Sequence, residues 1–387
     1  MIEKLRVKNF RCLRDVEVPL GPLNFLVGPN NTGKSSFLDA MDLLSRCVDT
    51  ERVETAFRTS RFRLDRLLTG GDQDLRLLYD VSLSLAREEG LADRAACSLA
   101  LAQTDGVTEI ADEFVEVVSG KEQVPLTWRN ERWPEPVSCS LGPVEYNSQV
   151  SILHQLVRGR VPACADLIRL LRCAPKYGLV PSRVAEPCEI LPSFKLDPDG
   201  FGLAACLDLL REREPSRFEE IMNALRLFVD SVDMVTFPTV EPGKKTILFH
   251  ERPKGCRVYA SEASDGLLLF LAYLTIAYAR RDVSVLLIEE PETGVHPRRL
   301  RATVEVLRAI SRGALGAPPV QVVATSHSPY LLDWCSKDEI IVFQRDAEGD
   351  AHATPLSQVR DIEERLKDFT PGELIYTFGE QICGSRS

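Results

Sequence analysis

Apolar and polar residues change rhythm several times along this chain, and each rhythm implies an element. Leu5 and Val7 alternate with polar neighbours, as do Val16, Val18 and Leu20, and Gly21-Pro22 closes the run. A period of two ending in a turn dipeptide predicts a hairpin. Leu23-Asn24-Phe25-Leu26-Val27 is an apolar run suited to a buried strand, and Phe37, Leu38, Met41 and Leu44 then recur at helical spacing. Farther on, Leu75 to Leu85 alternates again, with Cys97-Ser-Leu-Ala-Leu as its candidate antiparallel neighbour. Trp128 to Pro136 reads as a loop rich in Trp, Pro and charge, and Pro192 to Gly202 as a series of turns. Ser151 to Arg172 and Phe218 to Phe228 carry helical periodicity.

The C-terminal third returns to apolar runs. Gly266 to Ala279 is apolar on every face yet shorter than the roughly 20 residues a bilayer span needs, so it predicts a buried helix. Val283 to Ile288, Val320 to Ala324 and Ile340 to Phe343 read as buried strands, with a helix at Leu300 to Ile310 between the first two. Strands that alternate with helices predict an α/β fold with a mostly parallel, doubly wound sheet.

Between the strand at Leu23 and the helix that follows, Gly28-Pro29-Asn30-Asn31-Thr32-Gly33-Lys34-Ser35 fits G-x-x-x-x-G-K-[ST]. That loop wraps the phosphates of a nucleoside triphosphate, with glycines turning N–H groups inward and the helix N-terminus adding its dipole. Lys34 would reach the β- and γ-phosphates, and the Ser35 hydroxyl would hold Mg²⁺. The strand Val283–Ile288 ends in Glu289-Glu290-Pro291-Glu292. One carboxylate there can orient Mg²⁺ through its waters, and the next can polarise an attacking water. Glu289 suits the first task and Glu290 the second. After the strand Val320–Ala324 stands Thr325-Ser326-His327-Ser328-Pro329, where His327 can hydrogen-bond a γ-phosphate or simply cap the strand end. Ser264-Asp265-Gly266 opens the long apolar helix, either as ordinary capping residues or as an anion site for a nucleotide held by a second subunit.

Composition narrows the classes. At 387 residues the chain has room for two or three structural units, and 44% hydrophobic content is ordinary for a folded protein. A net charge of −10 argues against a globally basic nucleic-acid binder. Local clusters remain, at Arg58, Arg61, Arg63 and Arg66 and at Arg298, Arg299 and Arg301, so DNA is a candidate partner. The eleven cysteines form no C-x-x-C pair, and the chain opens MIEKLRVKNF without an apolar signal segment. The expectation is a cytoplasmic location, with cysteines as core residues, no membrane partner, and no disulfide framework or zinc site.

Taken together, these residues resemble the ABC-type ATPase heads of the SMC, RecF and OLD group, often described as AAA-family ATPases. Leu5-Arg-Val-Lys-Asn-Phe-Arg11 is similar to that group's first strand, and Gly28 to Ser36 to its Asn-containing Walker A. Ser264-Asp265-Gly266 resembles its shortened signature. Leu286 to Pro297 resembles its Walker B and D-loop, and Thr325 to Pro329 its switch-histidine loop. Pro192 to Ala204 and Pro371-Gly-Glu-Leu resemble segments of the OLD-like branch. The match covers about half the chain; Glu289 stands where many relatives carry Asp, and Gln73 is a guess for the Q-loop glutamine.

The resemblance implies a P-loop ATPase core with N-terminal antiparallel strands and an inserted α+β arm. The expected division is 1–75 and 258–387 for the core and 76–257 for the arm. It implies ATP and Mg²⁺ as ligands. Lys34, Glu290 and His327 would be catalytic, and Ser35 and Glu289 would hold the metal. Nucleotide contacts would come from Gly28 to Ser36, from Arg11, and from Ser264, Asp265 and Gly266. Two copies would trap ATP head to tail, and hydrolysis would release them. About 60 residues follow His327, too few for a Toprim nuclease domain. The expected partner is therefore a separate effector or nuclease, with antiviral defence as the role the resemblance suggests. A RecF-like DNA-repair ATPase and a scaffold with structural ATP are the alternatives.

Overall fold

The computed structural model describes residues 1–58, 63–69, 76–85, 93–118, 126–130, 147–158, 162–173, 175–190, 196–252, 255–279 and 283–379. The strands are β1 (Ile2–Phe10), β2 (Leu13–Pro19), β3 (Leu23–Val27), β4 (Leu77–Leu85), β5 (Asp93–Thr104), β6 (Val107–Val118) and β7 (Leu126–Asn130). There follow β8 (Cys188–Glu189), β9 (Val232–Thr236), β10 (Thr239–Glu241), β11 (Lys244–Lys245), β12 (Leu248–Glu251) and β13 (Cys256–Tyr259). Last come β14 (Val285–Glu289), β15 (Gln321–Thr325), β16 (Ile340–Arg345) and β17 (Ala351–Pro355).

The functional core is a five-stranded sheet in the order β14-β15-β3-β16-β17, parallel through its first four strands and antiparallel at the last. Its central strands are apolar throughout because both faces are covered. Leu286 and Ile288 pack with Phe25 on one side, among the helices Leu203–Arg213, Pro215–Phe228, Asp265–Ala279 and Leu300–Ser311. Val285 and Leu287 pack with Leu26 on the other, against the helix Lys34–Asp49 and a second sheet.

That second sheet is antiparallel, in the order β2-β1-β4-β5-β6-β7. It is larger than the hairpin that Leu5 to Leu20 predicted, because β1 pairs with β2 on one edge and β4 on the other. The strands β4 to β7 thus extend the N-terminal strands, whereas β8 to β13 form two small three-stranded sheets. Trp128 to Asn130, expected in a loop, belong to β7 and pair with β6; residues 131–136 lie outside the described residues. Gln321 ties the two large sheets together. Its side chain accepts from the Ile2 N–H and donates to the Ile2 and Gly21 carbonyls, all buried or nearly so.

The helix Asp265–Ala279 is buried along almost its whole length, as its all-round apolar sequence predicts. Among the described residues no helix is long and apolar enough to cross a membrane. Outside β14, Cys173 and Tyr177 pair with it in parallel, through bridges to Val285 and Ile288.

Candidate active site

Parallel strands present their carboxyl ends at one edge, and three of those ends carry the motifs. Glu289 on β14 lies level with Thr325 on β15, and Thr325 with Leu26 on β3. The phosphate loop and the acidic pair therefore stand two strands apart, about 10 Å at ordinary strand spacing.

The loop leaves β3 at Gly28, whose φ of +136 puts any added Cβ 2.1 Å from the Phe343 carbonyl oxygen. Only glycine fits there. Asn31 at φ 64 and Gly33 at φ 104 complete the turn, and the Thr32 hydroxyl donates to the Pro29 carbonyl at 2.9 Å. Pro29 and Asn30 are exposed, and so is Ser35 at the helix start, while Ser36 is half-buried and accepts a long contact from the Cys12 thiol. Gly33 caps the helix Lys34–Asp49 without a side-chain bond, leaving the first-turn N–H groups to an anion. The Lys34 ammonium donates to the carbonyls of Gly28 at 2.8 Å and Pro29 at 2.6 Å. Burial pulls its pKa down to about 8, opposed by the nearby Glu290 carboxylate. An ammonium has three donors, so one remains for a phosphate oxygen.

Glu290 turns out of the sheet at φ 45, its N–H donating to the Thr325 carbonyl at 3.1 Å and hydroxyl at 3.3 Å. A β-strand cannot hold that φ, so the carboxylate is aimed away from the ladder, half-exposed. Its Oε1 lies 3.8 Å from His327 Nε2, and the Thr293 hydroxyl approaches Oε2 at 3.4 Å. Glu290, His327 and Lys34 thus face one cleft. A cavity of about 220 Å³ adjoins it, lined by Gly28, Pro29, Ser326, His327, Ile375 and Tyr376.

Two residues that the motifs did not single out shape this cleft. Glu292 Oε1 accepts from the Ser326 hydroxyl at 2.9 Å, the His327 N–H at 2.7 Å and the Ser328 N–H at 3.1 Å, so it holds the switch loop in place. Its Oε2 is buried without a hydrogen-bond partner. Lys176 is the other. Its ammonium lies 2.7 Å from Asp39 Oδ1 and 3.0 Å from Glu289 Oε1. Arg11 reaches the opposite oxygen of Asp39 at 2.6 Å, so its guanidinium is tied to the phosphate-loop helix. Glu292 sat inside a quoted motif and was legible as polar; nothing local marks Lys176.

The signature residues sit elsewhere. Ser264 and Asp265 are exposed at the start of the long helix, and the Ser264 carbonyl accepts from the Leu267 and Leu268 N–H groups. Buried Gly266 packs under Arg299, and Asp265 faces Gly294 of the D-loop turn. The fold joins this trio to the D-loop turn, with Ser264 and Asp265 exposed.

Of the arginine clusters, Arg298, Arg299 and Arg301 are exposed, with Arg301 paired to Glu305 and stacked on Trp334. Arg63 and Arg66 are exposed, Arg63 beside Asp65. The Arg58 side chain, Arg61 and Gln73 lie outside the described residues.

The donor set fits Mg²⁺. Among the described residues no group of three or more His, Cys, Asp or Glu is placed to hold a metal alone. A hydroxyl at Ser35 and a carboxylate at Glu289 are the sparse oxygen donors Mg²⁺ takes when phosphates and waters complete its shell.

Comparison with known proteins agrees with this geometry. Residues 207–333 match the family described as "AAA domain, putative AbiEii toxin, Type IV TA system", and residues 1–95 match "AAA ATPase domain". The OLD nuclease of Thermus scotoductus is 57% identical over 44 residues, 11% of this chain and 8% of that protein. The DNA replication and repair protein RecF of Proteus mirabilis is 34% identical over 94 residues, 23% of this chain and 25% of that protein. The chain therefore matches a quarter or less of the length of these curated relatives. An SMC head domain from Thermotoga maritima aligns with 92% of this chain and 98% of its own, at a TM-score of 0.42 and 12% identity. The two AAA matches contain the phosphate loop and the acidic strand, and with the motif order they support an ABC-type ATPase of the SMC, RecF and OLD group.

Proposed function

We propose that the chain binds ATP with Mg²⁺ at Gly28 to Ser36, hydrolyses it, and works as a switch that dimerises around the nucleotide to govern a separate effector. One observation carries the reading. Lys34, Glu289, Glu290 and His327 converge at the carboxyl ends of three adjacent strands, with Glu290 and His327 only 3.8 Å apart.

In this reading the loop N–H groups and the Lys34 ammonium hold the triphosphate, and Ser35 with Glu289 holds the metal. Mg²⁺, when bound, neutralises charge that gathers on the phosphate oxygens. Glu290 accepts the proton of the attacking water, a task its half-exposed, sheet-averted carboxylate suits. His327, 3.8 Å from Glu290, would contact that water and the transferred phosphate. Positioning and electrostatics supply most of the acceleration in such chemistry.

Dimerisation is supported by the placement of Ser264, Asp265 and Gly266. Ser264 and Asp265 stand exposed, and Gly266 buried, at the N-terminus of a 15-residue helix whose dipole favours an anion, and the trio is joined to the D-loop. A second copy, turned head to tail, would bring its nucleotide to that point. The defence role rests on analogy with the OLD and AbiEii-type relatives.

The test is Glu290→Gln. The variant should bind ATP, turn over at under about a hundredth of the wild-type rate, and accumulate a dimer or larger assembly. Turnover at the wild-type rate would remove Glu290 as the general base. The RecF match and the exposed Arg298, Arg299 and Arg301 favour a second reading in which the ATP-bound form grips DNA. A titration with duplex DNA at low salt separates the two, since phosphate contacts weaken steeply as salt rises.

A further inference from the structure

Residues 175–180 pass along the outer edge of β14 and then enter the short helix Pro181–Ala185. The Tyr177 N–H donates to the Leu287 carbonyl at 2.9 Å, and the Glu289 N–H to the Tyr177 carbonyl at 2.7 Å. This pairing fixes Lys176 beside the end of β14, where its ammonium bridges Asp39 and Glu289. Its side chain is 24% exposed and that of Asp39 only 11%. Asp39 has a second cation in Arg11, so it keeps a partner if Lys176 shifts; Glu289 has Lys176 as its ion-pair partner.

Glu289 is thus claimed twice, by a lysine of its own chain and by the metal it would hold. Two cations at one carboxylate repel, and the divalent one interacts more strongly. A lysine on a four-carbon stem can move aside where a forked guanidinium would not. We propose that Lys176 is a displaceable counter-ion of Glu289. It occupies the metal-binding carboxylate in the nucleotide-free protein and gives it up when Mg²⁺ and nucleotide dock, staying anchored on Asp39.

This inference rests on the nucleotide reading above and adds a regulatory route to it. The segment that carries Lys176 continues to Pro181, and a Cβ placed on Gly294 would lie 2.8 Å from the Pro181 ring. Gly294 belongs to the turn that follows Glu290 and Glu292. The helix Pro181–Ala185 also packs on the helix that Ser264 opens. Release of Glu289 therefore loosens one anchor of a segment that touches both the D-loop turn and the signature helix. Nucleotide occupancy would be felt at the face offered to a second copy.

The experiment titrates MgCl₂ into full-length protein with fixed ATP and follows nucleotide binding by calorimetry, in wild type, Lys176→Met and Lys176→Arg. Removing one partly screened competing charge should lower the Mg²⁺ concentration for half-maximal ATP binding about fivefold in Lys176→Met. Lys176→Arg should need as much Mg²⁺ as wild type or more. ATP binding in EDTA should be the same in all three. An unchanged or raised Mg²⁺ requirement in Lys176→Met overturns the proposal. Weaker metal-free ATP binding in that variant also overturns it, because Lys176 would then be a phosphate ligand. Should Lys176→Met not fold, Lys176→Gln, neutral and polar, takes its place under the same criteria. A wild type that binds no ATP with Mg²⁺ removes the nucleotide reading itself, and this inference with it, whereas normal wild-type binding leaves the variants to judge Lys176 alone.

Discussion

Glu292 allows a direct test of how the switch loop is held. Replacing it with Ala removes one carboxylate oxygen that accepts from the Ser326 hydroxyl and from the His327 and Ser328 N–H groups. A hydrogen bond to a charged acceptor is worth about 1.5–3 kcal/mol net. The His327 N–H is open to solvent, so water can replace part of what is lost. A loss of about 2–3 kcal/mol in holding His327 against Glu290 is then expected. If that geometry matters in the transition state, kcat falls about 30- to 150-fold while ATP affinity changes little. Glu292→Gln keeps an acceptor oxygen at the same place and should lose about fivefold or less. The measurement is steady-state phosphate release at saturating ATP, beside ATP binding and a thermal melt for each variant. A folded Glu292→Ala protein with wild-type kcat would refute the argument that this carboxylate positions the loop.

Three further outcomes are expected. Lys34→Ala should weaken ATP binding about a hundredfold by calorimetry, since the buried ammonium is the loop's own cation; near-normal affinity would move the phosphates elsewhere. Ser264→Arg should spare ATP binding yet abolish ATP-induced assembly in size-exclusion chromatography, and undiminished assembly would take the signature out of the interface. The third concerns pH. Burial pushes the Glu113 carboxyl from 4.5 up to about 7 in the fold, against hydrogen bonds from Ser151 and Ile152 that favour its charged form. The folded protein therefore binds the proton more tightly, and stability present below about pH 4.5 declines as pH rises to about 7, by about 3 kcal/mol in all. Glu113→Gln should flatten the melting temperature between pH 5 and 8; an unchanged slope would assign it to other groups.

What the sequence made legible was local or covalently continuous. The phosphate loop announces itself within eight residues, and Val283 to Ile288 must be a strand covered on both faces because nothing in it is polar except Ser284. The antiparallel sheet was harder to see. Its long hairpin turns at Asp105-Gly106, both at positive φ, and an Asp-Gly pair between alternating runs is a strong hairpin signal. Trp128 to Asn130 misled because neighbouring Pro134 and Pro136 suggested a loop, although Thr and Trp are good strand formers. Lys176 gave no signal at all. Its partners lie 137 and 113 residues away in sequence, and only the pairing of Tyr177 with β14 brings them together.

The pairing of Cys173 and Tyr177 with β14 has one more effect. It shields what would otherwise be a bare flank of the parallel sheet, where unpaired amides invite another chain to add on. Growth by strand addition is closed at that border. A chain that met this border would do so through side chains and turns, which separate far more readily than a shared ladder of amides.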